Sequence, residues 1–205
     1  MSPASLLASA TTDARAQGWV HVVVTDHHGT ETANITQDSG PDQGEQNIQK
    51  SGVAAKVILV NRNAYIQGNS EAVTSYFGFP ASDGPTLAGR WISISPSDSA
   101  YDTVTAGVSL TSVLEEAGLT GNLTEIGRTV RDGQEVIGIS GTASSPDAGG
   151  GAATLYLTTT SHPLPVEFDT TSSQGTEQAV FSDWGKSVFL STPGGATPFA
   201  SIASS

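Results

Sequence analysis

The chain has 205 residues, and its 20 acidic and 8 basic side chains leave a formal net charge of −12. This balance excludes a basic nucleic-acid groove, because phosphate contacts need clustered Lys and Arg, and it disfavours anionic membrane surfaces. Hydrophobic residues make up 37%, enough for a packed core, and the absence of cysteine excludes disulfides, thiolate metal sites and cysteine nucleophiles.

The N-terminal third predicts one helix followed by a meander of strands. Ser2 can cap the helix, Pro3 suits its first turn and Gly18 can end it, while Leu6, Leu7, Ala10 and Ala14 form one stripe. From Trp19 the apolar period changes to two, which is typical of strands. Further strands are predicted over residues 30–37, 45–51, 53–60 and 64–67.

The middle of the chain interrupts the strands with helical segments. Residues 71–77 predict a short helix with Val73, Tyr76 and Phe77 facing inward, and a strand follows over residues 90–95. The clearest internal helix covers residues 109–117. Its apolar side chains recur at helical spacing before Gly118, at Leu110, Val113, Leu114 and Ala117.

The C-terminal third predicts antiparallel strands. Asp132 and Gly133 are a strong hairpin signal, and a loop is predicted over residues 144–151. A flexible tail is predicted from residue 193 onward. The strands are expected over residues 123–131, 135–142, 153–160, 165–170, 175–184 and 187–190.

These elements predict a single α+β domain over residues 1–192, followed by the tail over residues 193–205. Its centre is one large, curved antiparallel sheet, and its apolar face must be covered by the N-terminal helix and the further helices. The apolar face of this sheet is expected to include Val166. A closed lipocalin-like barrel is the alternative, and the mid-chain helices disfavour it.

Several stretches together resemble the LppX/LprG group of actinobacterial envelope lipoproteins, whose fold is similar to that of the lipoprotein carrier LolA. The resemblance lies in the order and spacing of residues 4–10, 18–25, 91, 109–119, 155–157, 162–166 and 181–185. It implies a half-barrel sheet whose concave side is closed by the N-terminal helix and further helices around an apolar, lipid-accepting cavity. It also implies export to the cell envelope and anchoring through an upstream lipidated cysteine, which this sequence does not contain.

The resemblance leads us to expect a non-enzymatic protein that binds or carries a lipid or other apolar ligand, as a monomer and without a cofactor. Another envelope protein or a transporter is a further expected partner. The side chains expected to line the cavity are those of the apolar strand and helix faces: Val22, Val24, Val57, Leu59, Ile92, Ile94, Leu110, Val113, Leu114, Ile137, Ile139, Leu155, Leu157 and Phe168.

Two other functional classes compete with this expectation. An exported interaction module would have a filled core and use its polar outer strands to meet another protein. A hydrolase would need a nucleophile, but Ser140 lacks the frame of a nucleophile elbow. His27 and His28 are interpreted as polar turn residues, because a closed metal site needs three or four convergent ligands. His21 could meet an acid on a neighbouring strand.

Overall fold

The computed structural model describes residues 1–145 and 151–202, and it begins with the predicted helix. Helix α1 covers Pro3–Gln17, and the Ser2 side chain caps it by accepting a hydrogen bond from the Ser5 amide at 3.2 Å. Gly18 ends the helix with φ at +79°, a conformation that glycine adopts without strain. Ala10 and Ala14 are buried against the sheet, as their spacing predicts.

One sheet of twelve strands forms the centre of the described chain, in the order β12-β6-β5-β4-β3-β2-β1-β11-β10-β9-β8-β7. All pairs are antiparallel except β12 with β6. The strands are β1 Val20–His28, β2 Glu31–Ser39, β3 Gly44–Lys50, β4 Val53–Val60, β5 Asn63–Gly68, β6 Ile92–Ile94, β7 Leu119–Arg131, β8 Gln134–Ala143, β9 Ala152–Thr158, β10 Pro165–Thr171, β11 Gly175–Ser182 and β12 Thr197–Pro198.

The remaining helices are short and lie between or after the strands. They are the π-helix Ala72–Tyr76, α2 Gly84–Leu87, α3 Tyr101–Thr105, α4 Leu110–Glu116 and α5 Phe199–Ile202. Helix α4 matches the predicted internal helix, with Ser109 as its cap. The predicted α+β half-barrel is confirmed: the sheet is open, and the helices pack on one of its faces.

We call this covered side the inner face and the opposite side the outer face. The strand register places Val22 beside Phe181, Ile139 beside Leu155, and Val57 beside Ile66, all on the inner face. On the outer face, part of the sheet is covered by the segment that leads from β11 to β12. There Leu190 and Ala196 pack with Trp91 on Ile58, Val60 and Tyr65.

The hairpin predicted around Asp132 and Gly133 joins β7 to β8. Both residues have positive φ, +46° and +77°. Positive φ at both positions is required in the two-residue hairpin turn whose twist matches that of the flanking strands. Residues 146–150 of the loop predicted after β8 lie outside the described residues.

Four details differ from the predictions. Val166 packs with Val136 and Tyr156 on the outer face, because a register shift between Pro165 and Glu167 reverses the alternation. Residues 187–190 do not form the predicted strand, since Leu190 packs on the outer-face cluster instead. The predicted helix over residues 71–77 is a π-helix that leaves Tyr76 47% exposed. Residues 197–202, predicted as tail, form β12 and α5, because Phe199 and Ile202 pack on the inner-face core.

Candidate ligand-binding site

The predicted cavity residues separate into two apolar clusters on the inner face. The first, which we call the packed half, lies beneath α1 and α4 and is centred on β1, β11, β10, β9 and β8. The fully buried Ile139 and Leu157 show how closely it is filled. It contains Val22, Val24, Leu110, Val113, Leu114, Ile137, Ile139, Leu155, Leu157 and Phe168.

The second cluster, which we call the pocket half, lies on β3 to β6 beneath the π-helix, α2, α3 and α5. It contains the predicted residues Val57, Leu59, Ile92 and Ile94. Phe79 and Leu87 cover them from the helical side, and Phe79 meets Phe199 edge to face with ring centroids 5.7 Å apart. Sequence periodicity places the predicted cavity residues of both halves on one face of the sheet. The structure shows that they belong to two different clusters on that face.

A buried polar boundary separates the two halves. The Gln46 side chain on β3 donates a hydrogen bond from Nε2 to Gln37 Oε1 on β2 at 2.8 Å, and both residues are buried. Ser39, two residues along β2 from Gln37, is fully buried, and its hydroxyl has no hydrogen-bond partner among the described residues. The inner face is therefore not uniformly apolar along its middle strands.

Replacing Ser39 by alanine should leave the free energy of unfolding unchanged or raise it by up to about 1 kcal/mol, because a buried hydroxyl without a partner is costly. The control is Thr158→Val. Thr158 is also buried, but its hydroxyl accepts a hydrogen bond from the Leu164 amide at 3.0 Å, so this change should cost about 1 kcal/mol. Urea unfolding measures both. A loss of more than about 1 kcal/mol for Ser39→Ala would contradict the interpretation.

A partly enclosed pocket of about 460 Å³ opens beside this boundary in the pocket half. Val57 on β4 and Gln46 on β3 lie against its sheet side, and the π-helix and α3 cover it. Of the predicted cavity residues, Val57 contributes to this lining. The residues that line it are Gln46, Val57, Tyr76, Phe77, Ala100, Thr103, Val104 and Ala106.

A second partly enclosed pocket of about 430 Å³ lies on the other side of a wall formed by Phe77 and Ala100, which line both pockets. Phe79 and Pro80 form one side of it, and Phe199 and Ile202 of α5 form another. Each pocket falls within the range of about 300–1,000 Å³ that is usual for small-molecule sites. These linings come mainly from short helices and connections, where no sequence periodicity could identify them.

The lining of the first pocket includes the polar residues Gln46, Tyr76 and Thr103. Glu116, the last residue of α4, reaches this region. A Cβ built on Gly107 would lie 2.9 Å from Glu116 Oε1 and 3.6 Å from Gln46 Nε2, so both groups approach one point. Burial raises the pKa of the Tyr76 hydroxyl, and the negative charge of Glu116 raises it further. The rest of the lining is mostly apolar.

The histidines singled out in the sequence take part in local contacts. His21 Nδ1 lies 2.8 Å from Asp38 Oδ1 across β1 and β2, so the acid that this histidine could meet is Asp38 on the neighbouring strand. His28 Nε2 lies 3.0 Å from Asp26 Oδ1, and His27 Nδ1 lies 3.0 Å from Thr32 Oγ1. Within residues 1–145 and 151–202, no group of three or more His, Asp or Glu side chains converges as metal ligands would.

No helix in the described part of the chain combines the length and the apolar character needed to span a membrane.

Comparison with known proteins gives similarity in structure but not in sequence. No family model and no curated protein matches the sequence. Among solved structures, LprF from Mycobacterium bovis is 18% identical with a TM-score of 0.55, and the match covers 94% of this chain and 97% of LprF. The lipoprotein LppX from Mycobacterium tuberculosis is 20% identical with a TM-score of 0.54, covering 93% of this chain and all of LppX.

An uncharacterized conserved protein from Thermus thermophilus is also similar, at 10% identity and a TM-score of 0.51. That match covers 97% of this chain and 98% of the Thermus protein. The predicted resemblance to the LppX/LprG group is therefore confirmed at the level of the fold, over nearly the whole chain.

Proposed function

We propose that this chain, which shares its fold with the mycobacterial lipoproteins LprF and LppX, is a non-enzymatic carrier of lipids with a place in the cell envelope. The observation that carries the proposal is the pocket between Val57 on the sheet and the π-helix and α3 above it. Its lining is mostly apolar and includes a few polar groups, which is the usual composition of a site for a small molecule.

The energetics of the pocket favour an acyl chain. Each methylene transferred from water contributes about 0.8 kcal/mol, so a chain with about ten buried methylenes gains about 8 kcal/mol before the costs of binding are subtracted. Phe77, Ala100 and Val104 offer apolar contacts to such a chain. No charged contact with the chain is needed for tight binding.

The two halves of the inner face have different roles in this proposal. Its buried side chains under α1 and α4 make up a close-packed core that stabilises the fold. The π-helix, α2, α3 and α5 over the pocket half are each only four or five residues long, and elements this short can move apart at a lower cost in free energy. We therefore assign ligand entry to the pocket half and structural support to the packed half.

The proposal is tested by incubating the purified chain with single-chain lipids and separating free lipid by gel filtration. Native mass spectrometry should then detect a complex of one protein with one lipid. The panel contains dodecanoate, dodecanoylglycerol and dodecylamine, so that the head group varies while the chain stays constant. Recovery of protein without lipid in all three cases would contradict the proposed function.

The wall between the two pockets gives a prediction about chain length. Removing the ring of Phe77 should join the two spaces, so Phe77→Ala should favour longer chains. We expect the ratio of hexadecanoylglycerol to dodecanoylglycerol affinity to rise at least about fourfold, since one more buried methylene contributes about 0.8 kcal/mol. The measurement is displacement of a monoacylglycerol that carries pyrene at the end of its chain. An unchanged ratio would show that the pockets do not communicate through Phe77.

A further inference from the structure

Strand β7 lies at one end of the sheet and pairs with β8 on one side only. We call its other side the open edge, because no strand of the described chain pairs with it. Of the large hydrophobic side chains that are exposed in the described chain, two belong to this strand, Ile126 at 52% and Val130 at 61%. An open edge with unpaired backbone groups and exposed apolar side chains is a template for a further strand.

The hairpin turn shows which residues of β7 face the open edge. Arg131 and Gln134 flank the two-residue turn and lie opposite each other in the register. Residues that flank such a turn exchange hydrogen bonds, so the backbone groups of Arg131 point toward β8. This direction alternates along an antiparallel strand, so the N–H and C=O groups of Val130 and Arg128 point toward the open edge.

A bulge in β7 brings a further residue to the open edge. The register pairs Glu125 with a residue of β8 and then shifts before Gly127, which leaves Ile126 as the extra residue. Because Ile126 and Gly127 together oppose one residue of β8, the alternation skips one position. The backbone groups of Glu125 therefore point the same way as those of Arg128.

The residues that face the open edge also share one face of the sheet. Glu125 and Arg128 lie opposite isoleucines of β8 that pack in the inner-face core. Directly opposite residues lie on the same face, so both charged side chains are on the inner face, where they are exposed. Val130, two residues after Arg128, lies on this face too, and Leu123, two residues before Glu125, packs against the same core.

The side chains along this edge are complementary to themselves. Their order is Leu123, Glu125, Arg128 and Val130, which is apolar, acidic, basic and apolar. When two copies pair antiparallel, Glu125 meets Arg128 of the second copy, and Leu123 meets Val130 of the second copy. Opposite charges and apolar pairs across strands each stabilise a sheet by about 0.2–1 kcal/mol, whereas like charges directly opposite destabilise it. The edge therefore favours a second copy over a strand of another charge pattern.

Ile126 fits the same arrangement on the outer face. A Cβ built on Gly138 would lie 2.6 Å from Ile126 Cγ1 and 3.2 Å from the Tyr156 ring, so Ile126 packs on the outer side of β8. The two-fold axis of the pair passes between Ile126 and Gly127, so the Ile126 side chains of the two copies lie next to each other. Their exposed apolar surface is then removed from water, which favours association.

Arg128 already has a partner within the chain, Glu135 on β8. The two side chains are 65% and 55% exposed, and an ion pair this exposed contributes little to stability. The guanidinium group has several donors, so it can contact Glu125 of the second copy at the same time or instead.

We propose that the open edge of β7 is a self-association site, at which two copies of this chain pair antiparallel over residues 123–130 and join their sheets into one. This differs from the monomer that the sequence leads us to expect. The inference goes beyond the proposed function and does not depend on it. The pocket half lies on β3 to β6, at a distance of several strands from β7, so each copy keeps its own pocket.

The first measurement is sedimentation equilibrium of the wild-type chain at about pH 7 and physiological salt. An interface along one strand is small, so we expect a weak monomer–dimer equilibrium with a Kd of about 10–100 µM. A chain that stays monomeric up to about 500 µM would overturn the proposal. This measurement needs no variant.

Charge reversal then tests the register. Glu125→Arg places two arginines opposite each other, and Arg128→Glu places two glutamates opposite each other, so each should weaken the dimer at least about tenfold. The double variant Glu125→Arg/Arg128→Glu restores opposite charges in exchanged positions, and its Kd should lie within about threefold of wild type. Both positions are exposed, and thermal unfolding should show that all three variants stay folded.

Asp42→Arg is the control for net charge. Asp42 is exposed on the loop between β2 and β3, far from β7, and its reversal changes the net charge by the same amount as Glu125→Arg. Both changes make this acidic chain less negative, so net charge alone would strengthen association in both variants. We expect Asp42→Arg to dimerise at least as tightly as wild type and Glu125→Arg to lose the dimer. A Glu125→Arg variant that keeps the wild-type Kd, or a double variant as weak as the single ones, would overturn the proposed pairing.

Discussion

Replacing Phe168 by alanine is expected to lower the free energy of unfolding by about 3–5 kcal/mol, because a large side chain is lost from a site that cannot collapse around the cavity. Phe168 lies on β10 in the packed half and is 2% exposed. Its neighbours across the sheet, Leu155 and Ala179, are held in place by strand hydrogen bonds. Urea unfolding followed by circular dichroism measures the change.

Phe189→Ala is the control for this prediction. Phe189 is 93% exposed, so its removal should change the free energy of unfolding by no more than about 0.5 kcal/mol. At temperatures where Phe168→Ala stays folded, it should still bind dodecanoylglycerol, because the pocket lies in the other half. A loss of stability below about 1 kcal/mol for Phe168→Ala would contradict the description of the packed half as a close-packed core.

Ala100→Trp is expected to lower the affinity for dodecanoylglycerol by at least about tenfold. Ala100 lines both pockets, so an indole ring at this position occupies space on either side of the wall that it shares with Phe77. Filling a space bounded by apolar side chains adds contacts rather than strain, and the melting temperature should therefore hold or rise. Displacement of the pyrene-labelled monoacylglycerol and thermal unfolding measure the two effects.

Ala8→Trp controls for the general effect of adding an indole ring. Ala8 is exposed on α1, away from the pocket half, and its replacement should leave the affinity within about twofold of wild type. An Ala100→Trp variant that binds as tightly as wild type would show that the ligand does not use these pockets. A variant that loses both binding and several degrees of melting temperature would show that the site is filled in the free protein.

Local signals in the sequence were sufficient for most of the secondary structure. The strand predicted over residues 53–60 has the bounds of β4, and Asp132 and Gly133 form the predicted turn. Helix α4 follows from its apolar spacing and from Ser109 as its N-terminal cap. Such signals are reliable because capping, turn conformation and alternation of faces depend on a few neighbouring residues.

The order and spacing of these elements were also enough to predict the fold class. A helix, a meander of strands, inserted helices and a second set of hairpins favour a single large sheet covered by helices over a closed barrel, and the resemblance to the LppX/LprG group implies its half-barrel form. The similarity of the structure to LprF and LppX agrees with this order along almost the whole chain. The elements and the family resemblance together were therefore enough to predict the architecture.

The position of the pocket was decided by the tertiary structure. Periodicity assigns Val57 and Val113 to the same face, but it does not tell which of them lies beneath a close-packed helix and which beneath a cleft. That difference depends on how α3 and the π-helix sit over the sheet, and α3 is only five residues long. Elements of this length carry too few residues for a period to be recognised.

Two further features depended on contacts between residues distant in sequence. The register shift before Glu167 moved Val166 to the outer face, although simple alternation places it with Phe168. Glu116, an exposed residue at the end of α4, comes near the Gln46 amide because α4 ends beside Gly107, and its charge acts on the Tyr76 hydroxyl. The sequence by itself determined which elements form and which faces are apolar, because these depend on local geometry and burial. The packing of helices on the sheet decided where space and charge remain.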